Sequence, residues 1–131
     1  MANEATCIET PTKFRRCVIG DAVAAPIGTL MKLEDHNTCS LTDADTNPFA
    51  GIVWVEKVAN DGVTEVVLAI DGVWDVKVTA AAVAFGQLIN VGGANVGVLA
   101  DEAGLVAGSF IGKAMEAGND SYVRCEVGSM I

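Results

Sequence analysis

The chain has 131 residues, of which 51% are hydrophobic and 19% charged, with 17 acidic against 8 basic side chains and a net charge of −9. That length suits one domain, able to bury about two-thirds of its unfolded surface without metal or disulfide support. The negative charge argues against nucleic acid as a partner, because cations supply most of the affinity for phosphate backbones. No apolar run approaches the ~18 residues of a membrane span.

Residues 1–13 are polar and non-periodic and contain Pro11, so they read as a flexible N-terminal arm, with a single barrel-like domain over 14–131. The first residues have neither a basic region nor an apolar run, so no export signal is expected. Four scattered cysteines, Cys7, Cys17, Cys39 and Cys125, are then expected as free thiols in a reducing compartment. Lys13, Phe14, Arg15 and Arg16 concentrate cations and one large ring in an otherwise acidic chain. This cluster is the candidate partner-binding site.

Arg15 to Ile19 suggests the first strand, and Thr29 to Glu34 the next, after a turn at Pro26 to Gly28. Asp35 to Pro48 is rich in Asp, Asn, Thr and Ser and reads as an exposed loop. Gly51 to Val58 and Val63 to Ile70 are β-branched runs separated by Asn60-Asp61-Gly62, a hairpin loop. Asp71-Gly72 is a strong short hairpin signal. After it Trp74, Val76 and Val78 alternate with Asp75, Lys77 and Thr79, which places the first three in a core. These segments predict a three-stranded antiparallel meander.

Thr79 to Gly86 predicts one short capped helix. Gln87 to Val91 and Val96 to Leu99 flank a turn at Gly92-Gly93-Ala94-Asn95, and Gly108 to Glu116 and Ser121 to Val127 complete the strands. Short strands at this spacing indicate a mainly β fold, a small antiparallel barrel or sandwich with one or two short helices. No internal repeat is read.

Catalytic and ligand-binding motifs are weak. His36 is the lone histidine and sits in the polar loop without a nucleophile elbow. His36 and Cys39 have a ligand-pair spacing, but no second pair follows. Gly92 to Gly97 lacks the Lys-Ser/Thr ending of a phosphate loop. Asp43/Asp45 and Asp101/Glu102 lack a calcium ligand ladder. Ala114-Met115-Glu116 lacks the lysine of a biotin or lipoyl carrier. Trp54 and Trp74 lie on predicted strands and read as core. No enzyme activity and no cofactor is expected.

Gly20-Asp21-Ala22, Pro26-Ile27-Gly28-Thr29-Leu30-Met31-Lys32-Leu33, Phe49-Ala50-Gly51-Ile52-Val53 and Glu56 to Gly62 occur in order along the chain. They are followed by Asp71-Gly72-Val73-Trp74-Asp75, Gly86-Gln87-Leu88-Ile89 and Gly112-Lys113-Ala114-Met115-Glu116. Together these resemble the decoration, or head cement, proteins of tailed bacteriophages over about residues 15–127. The resemblance implies a structural virion protein made in the host cytoplasm and bound to the outer capsid surface as a homotrimer, bridging neighbouring major capsid subunits. The apolar surplus fits a surface partly covered by other subunits. A small barrel that binds a glycan or another small ligand is the alternative expectation.

Overall fold

The computed structural model describes residues 3–79 and 82–128. Among them are eleven strands and one short helix, so the expectation of a small, mainly β, barrel-like protein holds. A short N-terminal strand, β1 (Thr6–Glu9), precedes two five-stranded units. The N-terminal unit contains β2 (Phe14–Val18), β3 (Leu30–Leu33), β4 (Cys39–Leu41), β5 (Phe49–Val53) and β6 (Glu65–Ala69). The C-terminal unit contains β7 (Val73–Val78), β8 (Leu88–Val91), β9 (Gly97–Leu99), the helix α1 (Glu102–Val106), β10 (Phe110–Ala114) and β11 (Ser121–Val127).

The two units are the same fold twice. Strand order is β2-β6-β5-β3-β4 in one and β7-β11-β10-β8-β9 in the other. The register repeats residue by residue. Leu30, Met31 and Lys32 face Ile52, Gly51 and Phe49, as Leu88, Ile89 and Asn90 face Lys113, Gly112 and Phe110, with the same irregularity in each ladder. Leu33 faces Cys39 as Val91 faces Gly97.

Outside the strands, Ala25 and Lys57 exchange main-chain hydrogen bonds, and so do Val83 and Gly118. Each unit also closes through one parallel contact, Val18 with Thr38 in the first and Val78 with Gly97 in the second. This duplication corrects the expectation of no repeat.

The interiors match as well. Cys17, Ala25, Met31, Ala50, Val53, Val66 and Leu68 fill the first unit. Their counterparts Val76, Val83, Ile89, Ile111, Ala114, Val123 and Cys125 fill the second. Leu30, Ile52 and Ala69, on the outside of the first unit, pack into the core of the second, so the units share a buried junction.

Several local expectations are corrected. Residues 6–9, expected within a flexible arm, pair antiparallel with β7, and Ala5 is buried. The physical reason is an edge of β7 that would otherwise present unpaired main-chain groups. Met1 and Ala2 lie outside the described residues. The loop at 35–48 contains β4, a strand too short to show a period, with Cys39 buried.

The strand predicted to reach Val58 ends at Val53. Beyond it, the Lys57 ammonium turns inward to bond the main-chain oxygens of Asp21 (2.9 Å) and Val58 (2.6 Å) and Asp61 Oδ1 (2.8 Å). The three-stranded meander is also wrong. β5 and β6 do pair, but β7 belongs to the other unit, where β1 and β11 flank it.

Asp71-Gly72 is therefore a crossover and not a hairpin turn. Its carboxylate is occupied by Thr12 and Lys13, and a side chain at Gly72 (φ 95°) would meet Glu9 O at 2.9 Å. The predicted core alternation of Trp74, Val76 and Val78 holds. The helix predicted from Thr79 to Gly86 is not formed at 82–86, which make a bridge and a tight turn; Ala80 and Ala81 lie outside the described residues. The helix is instead α1, started by Asp101, whose side chain accepts from Gly104 N–H (2.6 Å).

Candidate interaction face on the first unit

The four residues of the basic cluster fall at the entry to β2, where strand alternation separates them. Lys13 is exposed, its N–H donating to Asp71 Oδ1 (3.0 Å). Asp71 also accepts from Thr12 N–H (2.8 Å) and Thr12 Oγ1–H (2.6 Å). Burial pushes the Asp71 carboxyl up, but these hydrogen bonds outweigh it and hold the group below its usual range.

Phe14 and Arg16 point outward with Val18, while Arg15 points inward with Cys17. Phe14 is 45% exposed, and its ring lies 5.8 Å from that of Trp54. Trp54 in turn meets Trp74 edge-on at 6.1 Å across the junction of the two units. Arg15 is half-buried, and its Nη1 donates to Ala50 O (3.3 Å) of β5. Arg15 thus serves the fold, while Phe14 and Arg16 face solvent.

The duplication supplies an internal control for this face. In the second unit, the position of Arg16 is held by Asp75, whose Oδ1 accepts from Arg124 Nε (3.2 Å) across the strands. The position of Val18 is held by Lys77, whose ammonium lies 5.7 Å from the Tyr122 ring centre. The charged side chains Asp75, Lys77 and Arg124 of that outer face are paired within the chain, while Tyr122 stays 45% exposed.

On the first unit, Arg16 stands opposite Val67, and Val18 is 38% exposed opposite Glu65. Lys32, Lys57, Lys77 and Arg124 all have carboxylate partners. Among the described residues, no carboxylate lies within 4.0 Å of the charged ends of Lys13, Arg15 or Arg16, nor of Lys113 in the second unit. Among the described residues, the first unit therefore carries exposed Phe14 and Val18 beside an Arg16 that has no ion-pair partner.

The remaining sequence candidates have local roles. His36 is exposed, whereas Cys39 is buried beside Cys17, and burial together with that neighbour pushes its thiol up to about 12. His36 and Cys39 are not brought together as a ligand pair, and a thiol so hard to ionise is a poor nucleophile. Among the described residues, no group of three or more His, Cys, Asp or Glu is placed to hold a metal.

Asp43 pairs with Lys32 (3.0 Å), Asp101 caps α1, and Glu116 Oε1 accepts from Arg124 N–H (3.0 Å). Gly92 to Val96 forms the turn between β8 and β9, and Gly97 opens β9. An open groove beside β4, walled by Val23, Leu41 and Ala94, has Lys32 at its rim, already neutralised by Asp43 and Glu34. Among the described residues, no helix is long and apolar enough to cross a membrane.

Sequence reasoning missed the paired units. The available signal was Pro26-Ile27-Gly28-Thr29-Leu30-Met31-Lys32-Leu33 set against Ala84-Phe85-Gly86-Gln87-Leu88-Ile89-Asn90-Val91. Both segments begin with a turn closed from the fourth residue to the first (3.1 Å in each). No protein-family model and no curated protein matches the chain.

Proposed function

We propose that this chain is a structural protein that docks through the outer face of β2 onto the outside of an icosahedral phage head and cements neighbouring major capsid subunits as a trimer. The observation that supports the reading is the unequal treatment of two equivalent faces. One unit pairs the charges of its outer face through Asp75–Arg124 and Lys77–Tyr122, and the other leaves Arg16 without an ion pair beside exposed Phe14 and Val18.

A partner with carboxylates around an apolar hollow fits that face, Phe14 filling the hollow while Arg16 and Lys13 meet the acids. Cementing is then avidity, since a trimer that touches several subunits sums contacts that are individually weak. The capsid as the particular partner comes from the sequence resemblance.

The test adds purified protein to expanded heads that lack it and images them. Density at the local three-fold positions and greater heat resistance of the heads are expected. Empty three-fold positions on heads incubated with excess protein would overturn the proposal.

A further inference from the structure

β1 covers only one of two equivalent strand edges. In β2, the Ile70 N–H donates to Lys13 O (3.1 Å) and the Ile19 N–H to Thr64 O (3.0 Å). The odd-numbered residues therefore aim their main-chain groups at β6, and Phe14, Arg16 and Val18 aim theirs out of the sheet edge. Val18 is satisfied there by Asn37 O (2.7 Å). Among the described residues, the outward N–H groups of Phe14 and Arg16 have no main-chain partner.

Their counterparts in the second unit are Val73 and Asp75, and those two are paired with Glu9 and Thr6 of β1. On β7, the edge is shared between β1 at one end and β9 at the other. On β2, the far end is taken by Thr38 and the near end is open.

From this we infer that the open edge at Phe14–Arg16 receives an added antiparallel strand, supplied by an acidic extended segment of a partner protein. The length available matches a strand the size of β1, four residues. The sign of the partner follows from charge, since Lys13 and Arg16 flank this edge and, among the described residues, no carboxylate lies within 4.0 Å of their charged ends. β1 itself illustrates the chemistry, being an extended segment with Glu4 and Glu9 around Thr6, Cys7 and Ile8. Main-chain pairing supplies the affinity in such strand addition, and alternate side chains set the register. The inference rests on the docking reading only for the source of the segment.

The probe is a synthetic peptide of residues 3–10 carrying Cys7→Ser, added at millimolar concentration to the full chain, with amide exchange followed by NMR. The Phe14 and Arg16 amides are expected to exchange rapidly in the free protein and to slow at least tenfold with peptide. Raising salt should weaken the effect, and Arg16→Pro, which removes one outward donor, should abolish it. If that variant unfolds, the pair Lys13→Gln and Arg16→Gln should weaken binding while the fold persists.

Protection lost at Val73 and Asp75 would mean the peptide displaces β1, and would overturn the inference. So would binding without protection at Phe14 and Arg16, no binding at all, or protection that appears with protein concentration alone, which would make a second copy the occupant. Heads decorated without added protection at these amides would leave docking standing and remove strand addition. Peptide pairing without head binding would do the reverse.

Discussion

Arg15 and Trp74 stand at the same position in the two units, each pointing inward from the first strand, opposite Leu68 in one and Cys125 in the other. The indole seals the second unit against the first, with no exposed surface and its Nε1–H donated to Asp71 O (3.2 Å). The guanidinium is instead half-buried and donates to Ala50 O (3.3 Å). Trp74→Ala should therefore cost about 3–5 kcal/mol by opening the shared core. Arg15→Leu should stay within about 1 kcal/mol of the parent, exchanging one hydrogen bond for apolar contact. Urea denaturation of both variants checks the asymmetry, and equal losses would mean that the units are not sealed differently.

Lys57→Met tests the buried ammonium. Its side chain is 1% exposed, and its removal strips partners from Asp21 O, Val58 O and Asp61 at once. A loss of about 2–4 kcal/mol is expected, less than for a fully buried ion pair because the Asp61 carboxylate (2.8 Å) and that of Asp21 (3.7 Å) both reach water. Lys57→Arg should not restore stability, because a planar fork does not fit a site built for a compact ammonium. Thermal melting of the two variants beside the parent gives the answer.

Asp71 makes the strap at Thr12–Lys13 sensitive to acid. Its carboxyl is held below the usual range in the folded chain, so its contribution is present above the unfolded value of about 3.9 and is lost as pH falls through the lower folded value. Exchange of the Thr12 and Lys13 amides should accelerate below about pH 4, beyond the intrinsic change with pH. In Asp71→Asn the same amides should exchange faster at neutral pH, with little further acid dependence.

Gly51 and Gly112 occupy equivalent places in the irregular ladders of the two units. A side chain at Gly51 (φ 152°) would meet Leu68 Cβ at 2.8 Å, and one at Gly112 would meet Glu126 O at 2.2 Å. Gly51→Ala and Gly112→Ala should each destabilise by about 1–3 kcal/mol through forced backbone shifts. The Gly112 variant should suffer more, because its main-chain obstacle stands at 2.2 Å and that of Gly51, Ala69 O, at 2.9 Å. Chemical denaturation of the pair ranks them, and a neutral Gly112→Ala would contradict the register.

The strands were legible where side chains alternate or β-branched residues run, as at Trp74-Val76-Val78 and Ser121–Val127. Partnership was not legible. Asp71-Gly72 has the local chemistry of a hairpin, yet long-range competition for the β7 edges sends the chain across to the other unit. The repeat was hidden because equivalent core positions need only similar volume, so Met31 and Ile89, or Cys17 and Val76, fill the same place. The basic cluster was visible in the sequence. The opposite aims of Arg15 and Arg16 needed the strand's phase.

The pairing of Glu9 with Val73 has an architectural consequence. β1 ends where β7 begins, so the whole first unit is an excursion of the chain between two residues that already lie side by side. In wiring terms it is a cartridge plugged into a six-stranded host. A short turn from Glu9 to Val73 would keep every strand pairing of the host intact, leaving Trp54's side of the junction as the wall that must be refilled. Replacing the cartridge therefore requires a new wall at the junction but no new strand pairing in the host.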